Sequence, residues 1–195
     1  MGRTAEVSRK TKETDIKAVI NIDGSGICNV STGIGFFDHM ISGFAKHGLF
    51  DIDLTVKGDL EVDGHHTVED AGIVLGQAFA EALGSKEGIT RFGDCMLPMD
   101  DALVLAAVDI SGRHYLEYDL PFDTYMIGDL DTQLVKEFFY AFADSSKINL
   151  HIKKINGSNS HHIAEAAFKA VAFSLRKAVE INPRVAGVPS TKGTL

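Results

Sequence analysis

The chain repeats itself. His65-His66-Thr67-Val68-Glu69 and His161-His162-Ile163-Ala164-Glu165 share the spacing His-His-x-x-Glu, and each follows a Gly- or Asn-containing turn, Asp63-Gly64 and Gly157-Ser158-Asn159. Placing Phe44-Ala45 over Phe142-Ala143 brings the strand-like Asp51–Val56 over Asn149–Lys154, then the two His-His runs over each other after a two-residue gap. A duplicated half-domain explains this better than chance. It confines the fold, because both halves must carry the same elements. One domain of two pseudo-repeats is expected, about 1–90 and 91–195.

Hydrophobic periodicity supplies the elements. Alternation predicts strands over Thr4–Lys10 and Asp15–Asn21, followed by the turn Asp23-Gly24-Ser25-Gly26. Gly33–His47 reads as a helix with Phe37, Ile41 and Phe44 on one face and Gly48 as its stop. Phe50–Val56 alternates strictly, and Thr67–Leu83 returns to helical spacing up to Gly84. In the second half, strands are predicted over Leu103–Ile110 and His114–Tyr118, joined by a turn at Ser111-Gly112. A helix over Thr132–Ala143, a strand over Ile148–Ile152 and an amphipathic helix over Ile163–Val179 follow. The expected fold class is α+β, with one sheet per half and its helices gathered on one face. A chain of 195 residues, 45% of them hydrophobic, is ample for such a core and is not disordered.

Charge narrows the function. Nineteen Lys+Arg against 27 Asp+Glu give a net charge of −8, which argues against a general nucleic-acid binder. An anionic ligand would need a few local cations to overcome that field. No apolar run approaches the ~20 residues that span a bilayer, and the N-terminus does not read as a secretory signal. Two cysteines, Cys28 and Cys95, make neither a disulfide framework nor a metal ribbon, which fits a reducing cytoplasm.

The eight histidines, four of them in adjacent pairs, point to metal chemistry. On a helix the first His and the Glu of each run are i,i+4 and the second His and the Glu i,i+3, so both reach the carboxylate. Adjacent imidazoles, about 100° apart, face different directions, so one pair can serve two ions. The plain alternative is a helix-entry histidine bonded to loop carbonyls, with Glu69 and Glu165 in the first turn for dipole reasons. Two occurrences at equivalent places favour the metal. The same alignment sets His39 opposite Glu137. One partition then holds His39, His66, Glu69 and His162 in a first site and His65, Glu137, His161 and Glu165 in a second. Nitrogen and oxygen donors without thiolate suit Mn²⁺, Fe²⁺ or Zn²⁺ better than a structural cysteine site.

Further motifs make the chain recognisable. Thr11-Lys12-Glu13-Thr14, Ser31-Thr32-Gly33-Ile34-Gly35-Phe36-Phe37-Asp38-His39-Met40 and His47-Gly48-Leu49-Phe50-Asp51 precede the first His-His run with its following Asp70. Arg91-Phe92-Gly93-Asp94, Ser111-Gly112-Arg113, the second run and Pro189-Ser190-Thr191-Lys192-Gly193 follow. In this order, over nearly the whole chain, they resemble the imidazoleglycerol-phosphate dehydratases of histidine biosynthesis. The resemblance implies two Mn²⁺ per active site, ligand sets like those above, and a duplicated βαβ-type fold of the ribosomal protein S5 domain 2-like kind. It also implies homo-oligomers, trimers assembled into a 24-mer with sites at subunit interfaces. Three positions depart from the family's pattern: many relatives carry His at Glu137, often Gln at Gly43, and an acidic residue at Gly64.

The substrate so implied, imidazole glycerol phosphate, is a dianion, which makes Arg91, Arg113, Lys169, Ser190 and Lys192 the phosphate candidates. On residue type alone, Arg91 reads as a loop ion pair, Arg113 as a solvated strand end, Lys169 as the i,i+4 partner of Glu165, and the C-terminal stretch as a frayed tail. Glu13 would by default be a solvated carboxylate; the resemblance makes it the proton-transfer residue. His47 and Asp100 are weaker candidates for orienting groups, and His114 and His151 read as structural. Loss of water from the glycerol carbons would yield an enol that tautomerises to imidazole-acetol phosphate, with no redox cofactor. Two rival readings stand beside this one: a binuclear metallohydrolase acting on a phosphorylated substrate, and a metal-assembled shell or store without catalysis.

Overall fold

In the computed structural model, which describes residues 2–195, each half builds a four-stranded sheet. The first half runs β1 (Thr4–Lys10), β2 (Thr14–Asn21), β3 (Cys28–Ser31), α1 (Gly35–Gly48), β4 (Asp51–Gly58) and α2 (His65–Leu83). The second runs β5 (Phe92–Met99), β6 (Ala102–Asp109), β7 (Tyr115–Asp119), a short hairpin β8 (Met126–Ile127) and β9 (Leu130–Asp131), then α3 (Gln133–Ser146), β10 (Asn149–Asn156) and α4 (Ser160–Val179). Their strand orders are β1-β2-β4-β3 and β5-β6-β10-β7. In each sheet the last edge strand pairs parallel and the other neighbours antiparallel. The fold is α+β, and the β8–β9 hairpin is the element that the first half lacks.

Alternation decides which face is covered. Ile16, Ala18 and Ile20 of β2 and Ile52, Leu54 and Val56 of β4 point to the core, while Asp15, Lys17, Asp53 and Thr55 between them stay exposed. Helix α2 packs on β1, β2 and α3, and α4 packs on β5, β6 and α1, so the helices lie between the two sheets. Phenylalanines fill that layer: Phe44 meets Phe50 and Phe142, and Phe138 meets Phe37 and Phe168, with ring centroids 5.2–5.9 Å apart. Gly72 and Gly76 let α2 approach α3; a Cβ there would stand 2.8 Å from the Phe138 carbonyl oxygen and 2.7 Å from that of Phe142. This approach holds the helix of the first His pair beside the helix of Glu137. No helix among the described residues is long and apolar enough to cross a membrane.

Three details differ from the sequence-based expectation. Strands β6 and β7 are not a hairpin: β10 lies between them, paired antiparallel to one and parallel to the other. Strands β3 and β5 escape the periodicity, β3 because it has four residues and β5 because Gly93 and Pro98 interrupt it. Pro98 is tolerated because β5 is an edge strand. Finally, α1 ends one residue late. Leu49, with φ 56°, takes the left-handed turn, and Gly48 is glycine for another reason: a Cβ there would stand 2.5 Å from the Phe50 ring.

Candidate active site

Asn159 starts α4, its side-chain oxygen accepting from the backbone N–H of His161 at 2.9 Å and of His162 at 3.3 Å. That cap orients the His pair at the helix mouth. One turn on, Glu165 is 8% exposed, with Oε2 3.1 Å from His161 Nε2 and 3.6 Å from His39 Nε2. The ligating atoms of His39, His161 and Glu165 all lie within 4.8 Å of one another. Burial raises the Glu165 carboxyl, but the Lys169 ammonium at 2.7 Å, together with His39 and His161, outweighs it and leaves the pKa below the ordinary value. Two imidazoles beside an ionised carboxylate fit a divalent cation such as Mn²⁺, Fe²⁺ or Zn²⁺.

Helix α2 of the first half carries a looser counterpart. His65 Nε2 lies 3.8 Å from Glu69 Oε2, and His65 lines a cavity of about 220 Å³ together with Glu137 and Asp131. The grouping therefore differs from the partition proposed above. His39 sits with His161 and Glu165 rather than with His66, Glu69 and His162, while His161 beside Glu165 and His65 beside Glu137 keep the company that the second set gives them. The reason is helical geometry: the i,i+4 partner shares a face with the carboxylate, and the second histidine of each pair turns about 100° away.

Those second histidines have partners of their own. His66 Nδ1 lies 3.0 Å from Asp59, a hydrogen bond that raises its pKa, and its Nε2 is 3.9 Å from Glu13 in the β1–β2 turn. His162 Nδ1 lies 2.7 Å from Asp101, and its Nε2 is 3.4 Å from Asp100 in the β5–β6 turn. Asp101 is held well below the usual carboxylate range by the Ser158 N–H, then His162 and the Asn159 N–H. Glu13 and Asp100 occupy equivalent turns, so the Nε2 sides of the two histidines are copies of one arrangement, whereas Asp59 follows β4 and Asp101 precedes β6. Asp59 and Asp101 were not legible in the sequence, since each reaches its histidine across a turn with no spacing rule. Phe36 was missed too; its ring meets His161 edge-on at 5.0 Å.

The phosphate candidates divide. Arg91 is committed to Asp109 through Nε at 2.7 Å and Nη2 at 3.1 Å, while its Nη1 donates to the Pro189 carbonyl at 2.8 Å. It thereby ties down the C-terminal stretch. Lys169 forms the ion pair that its i,i+4 spacing predicts. Among the described residues the Arg113 guanidinium makes only a long 3.4 Å contact to the Ser111 carbonyl, and Lys192 is exposed, its backbone N–H donating to Ser190 Oγ at 3.2 Å. His47 packs on Phe173, and burial, then the Lys169 charge, lowers its pKa. His114 packs on Tyr140 and His151 on Tyr115, away from these clusters. A Cβ at Gly43 would meet nothing within 4 Å, whereas one at Gly64 would crowd Ile34 at 3.0 Å and Leu134 at 3.2 Å.

The sequence profile of one family, imidazoleglycerol-phosphate dehydratase, matches residues 32–175. The chain belongs to that family. An imidazoleglycerol-phosphate dehydratase of Lachnoclostridium phytofermentans is 59% identical over 195 residues, the full length of both chains. One of Cereibacter sphaeroides is 60% identical over 194 residues, 99% of this chain and 100% of that one. The crystal structure of the dehydratase from Pyrococcus furiosus superposes with a TM-score of 0.83 at 40% identity, covering 97% of this chain and 100% of that one. That from Staphylococcus aureus gives 0.82 at 34%, covering 92% and 99%. Membership in the dehydratase family makes the chain a hydro-lyase of histidine biosynthesis.

Proposed function

We propose that the chain catalyses the manganese-dependent dehydration of D-erythro-imidazole-glycerol phosphate to imidazole-acetol phosphate and water, with two Mn²⁺ per active site. The observation that carries this reading is the His39–His161–Glu165 cluster, with His65 and Glu69 of α2 set beside Glu137 of α3. Manganese held there would supply Lewis acidity to the substrate imidazole as charge builds on it. Everything else falls to side chains. Glu13, on an exposed turn 3.9 Å from His66, takes the proton from carbon and returns it to the departing hydroxyl or to solvent. Arg113, Lys192 and Ser190 offer the phosphate free donors, with Arg91 carrying the C-terminal stretch towards them.

His66 and His162 turn their Nε2 atoms away from the clusters of their own chain. This supports a homo-oligomeric reading in which they complete sites on neighbouring subunits, in trimers assembled into a 24-mer. A cytoplasmic location fits two free, partly buried cysteines.

The test is turnover of imidazole glycerol phosphate by chelated protein before and after manganese is restored. Formation of imidazole-acetol phosphate only with manganese, with no inorganic phosphate released, is the expected result. Phosphate release would make the site a binuclear hydrolase.

A further inference from the structure

The β8–β9 hairpin belongs to the second half but reaches into the first. Asp129, at its turn, accepts from the backbone N–H of Gly35 at 2.5 Å and of Phe36 at 2.9 Å. These are first-turn donors of α1, whose own N-cap residue, Ile34, offers no side-chain cap. The neighbouring Gly128 brings the turn against the Cβ of Phe36, 3.4 Å from where its own Cβ would lie. The Phe36 ring in turn meets His161 at 5.0 Å and His39 at 6.2 Å. Two residues beyond, Asp131 accepts from the backbone N–H of Gln133 at 2.9 Å and so starts α3, the helix of Glu137. One hairpin therefore holds the mouths of both helices that bring His39 and Glu137.

We propose that Asp129 is a positioning residue for the His39–His161–Glu165 cluster, acting through the first turn of α1 and the Phe36 ring. The proposal rests on the reading that this cluster binds a divalent metal. Helix α1 does not need Asp129 in order to fold. Phe37, Met40, Ile41 and Phe44 bury its inner face, and Asp38 anchors the approach to it by accepting from Thr32 N at 3.0 Å and Thr32 Oγ1 at 2.6 Å. What Asp129 adds is the angle at which the first turn presents His39 and Phe36. Groups one step behind metal ligands typically change affinity by about 10–100-fold.

The experiment is Co²⁺ titration of metal-stripped full-length protein, followed by visible absorption, for wild type, Asp129→Ala and Asp129→Asn, with thermal unfolding of the metal-free forms alongside. Asp129→Ala should weaken one class of Co²⁺ site about tenfold and alter its absorption band. Asp129 meets the two N–H groups with separate oxygens; Asp129→Asn keeps one acceptor oxygen and should recover part of the affinity and the band. Unchanged titration in Asp129→Ala, with normal uptake by wild type, overturns the inference alone. Wild type that takes up no Co²⁺ overturns the metal reading and the inference with it. Equal weakening in both variants, in step with a fall in the unfolding midpoint, would assign Asp129 to general stability instead.

Discussion

The ammonium of Lys169 stands 2.7 Å from Oε1 of Glu165, on the oxygen opposite the one that His161 and His39 approach. The carboxylate is thus held between a cation that keeps it ionised and two imidazoles that can share a metal with it. Replacing Lys169 by Met should raise the Glu165 pKa. Metal must then compete with a proton at higher pH, while the lost ammonium no longer repels the dication. Manganese affinity of the variant should fall most below about pH 6 and recover by about pH 8. Isothermal titration at both ends checks this. A pH profile like wild type, with KM for the phosphorylated substrate raised instead, would give Lys169 to the phosphate.

Gly76 tests whether the α2–α3 contact matters to the first-half cluster. Ala is the better helix former by about 0.5–1 kcal/mol, but its Cβ would stand 2.7 Å from the Phe142 carbonyl oxygen and 2.9 Å from the Ser145 Cβ. Overpacking against backbone costs roughly 1–3 kcal/mol, so packing wins and a net loss of about 1–2 kcal/mol is expected. Urea denaturation of Gly76→Ala measures it. A variant as stable as wild type would mean that the two helices can move apart freely.

Much of this architecture is legible from periodicity, and the failures have physical causes. α2 and α4 show a 3.6-residue apolar stripe because one face of each meets a sheet and another a helix. β4 alternates because one side of its sheet is bare. β7 was placed beside β6 because they are neighbours in sequence, but a parallel edge strand is set by the crossover through α3, which no local pattern records. The candidate ligands were legible as a repeated motif, and so was the company of His161 with Glu165, whereas the place of His39 was not. Bringing His39 to His161 and Glu165 needed the packing of α1 on α4. Asp59, Asp101 and Asp129 act across turns or between halves, where spacing carries no signal.

Asp51 gives a pH-dependent stability with a definite sign. Its carboxylate accepts from Ser25 N at 2.8 Å and Ile27 N at 3.0 Å and pins the loop before β3. The Ile27 and Ser25 N–H bonds lower its folded pKa. Its contribution is therefore complete above the unfolded value of about 3.9 and lost as pH falls through the lower folded value. Asp51→Asn should be less stable than wild type by about 1 kcal/mol or less at pH 6, given solvent screening. The gap should be narrower at about pH 3, below the unfolded value. Denaturation midpoints at the two pH values decide this, and a gap that widens on acidification would contradict the assignment.

In the proposed reaction labour is divided: the clusters would hold metal, and Glu13, on a separate turn, would move the proton. Manganese content and turnover, measured side by side in Glu13→Gln, test it most directly. The amide keeps the shape of the side chain and removes the base, and general acid–base groups contribute about 10²–10⁴-fold. The variant should retain wild-type manganese while its turnover falls on that scale. Near-normal turnover would contradict the role given to Glu13, and lost manganese would make Glu13 a ligand instead.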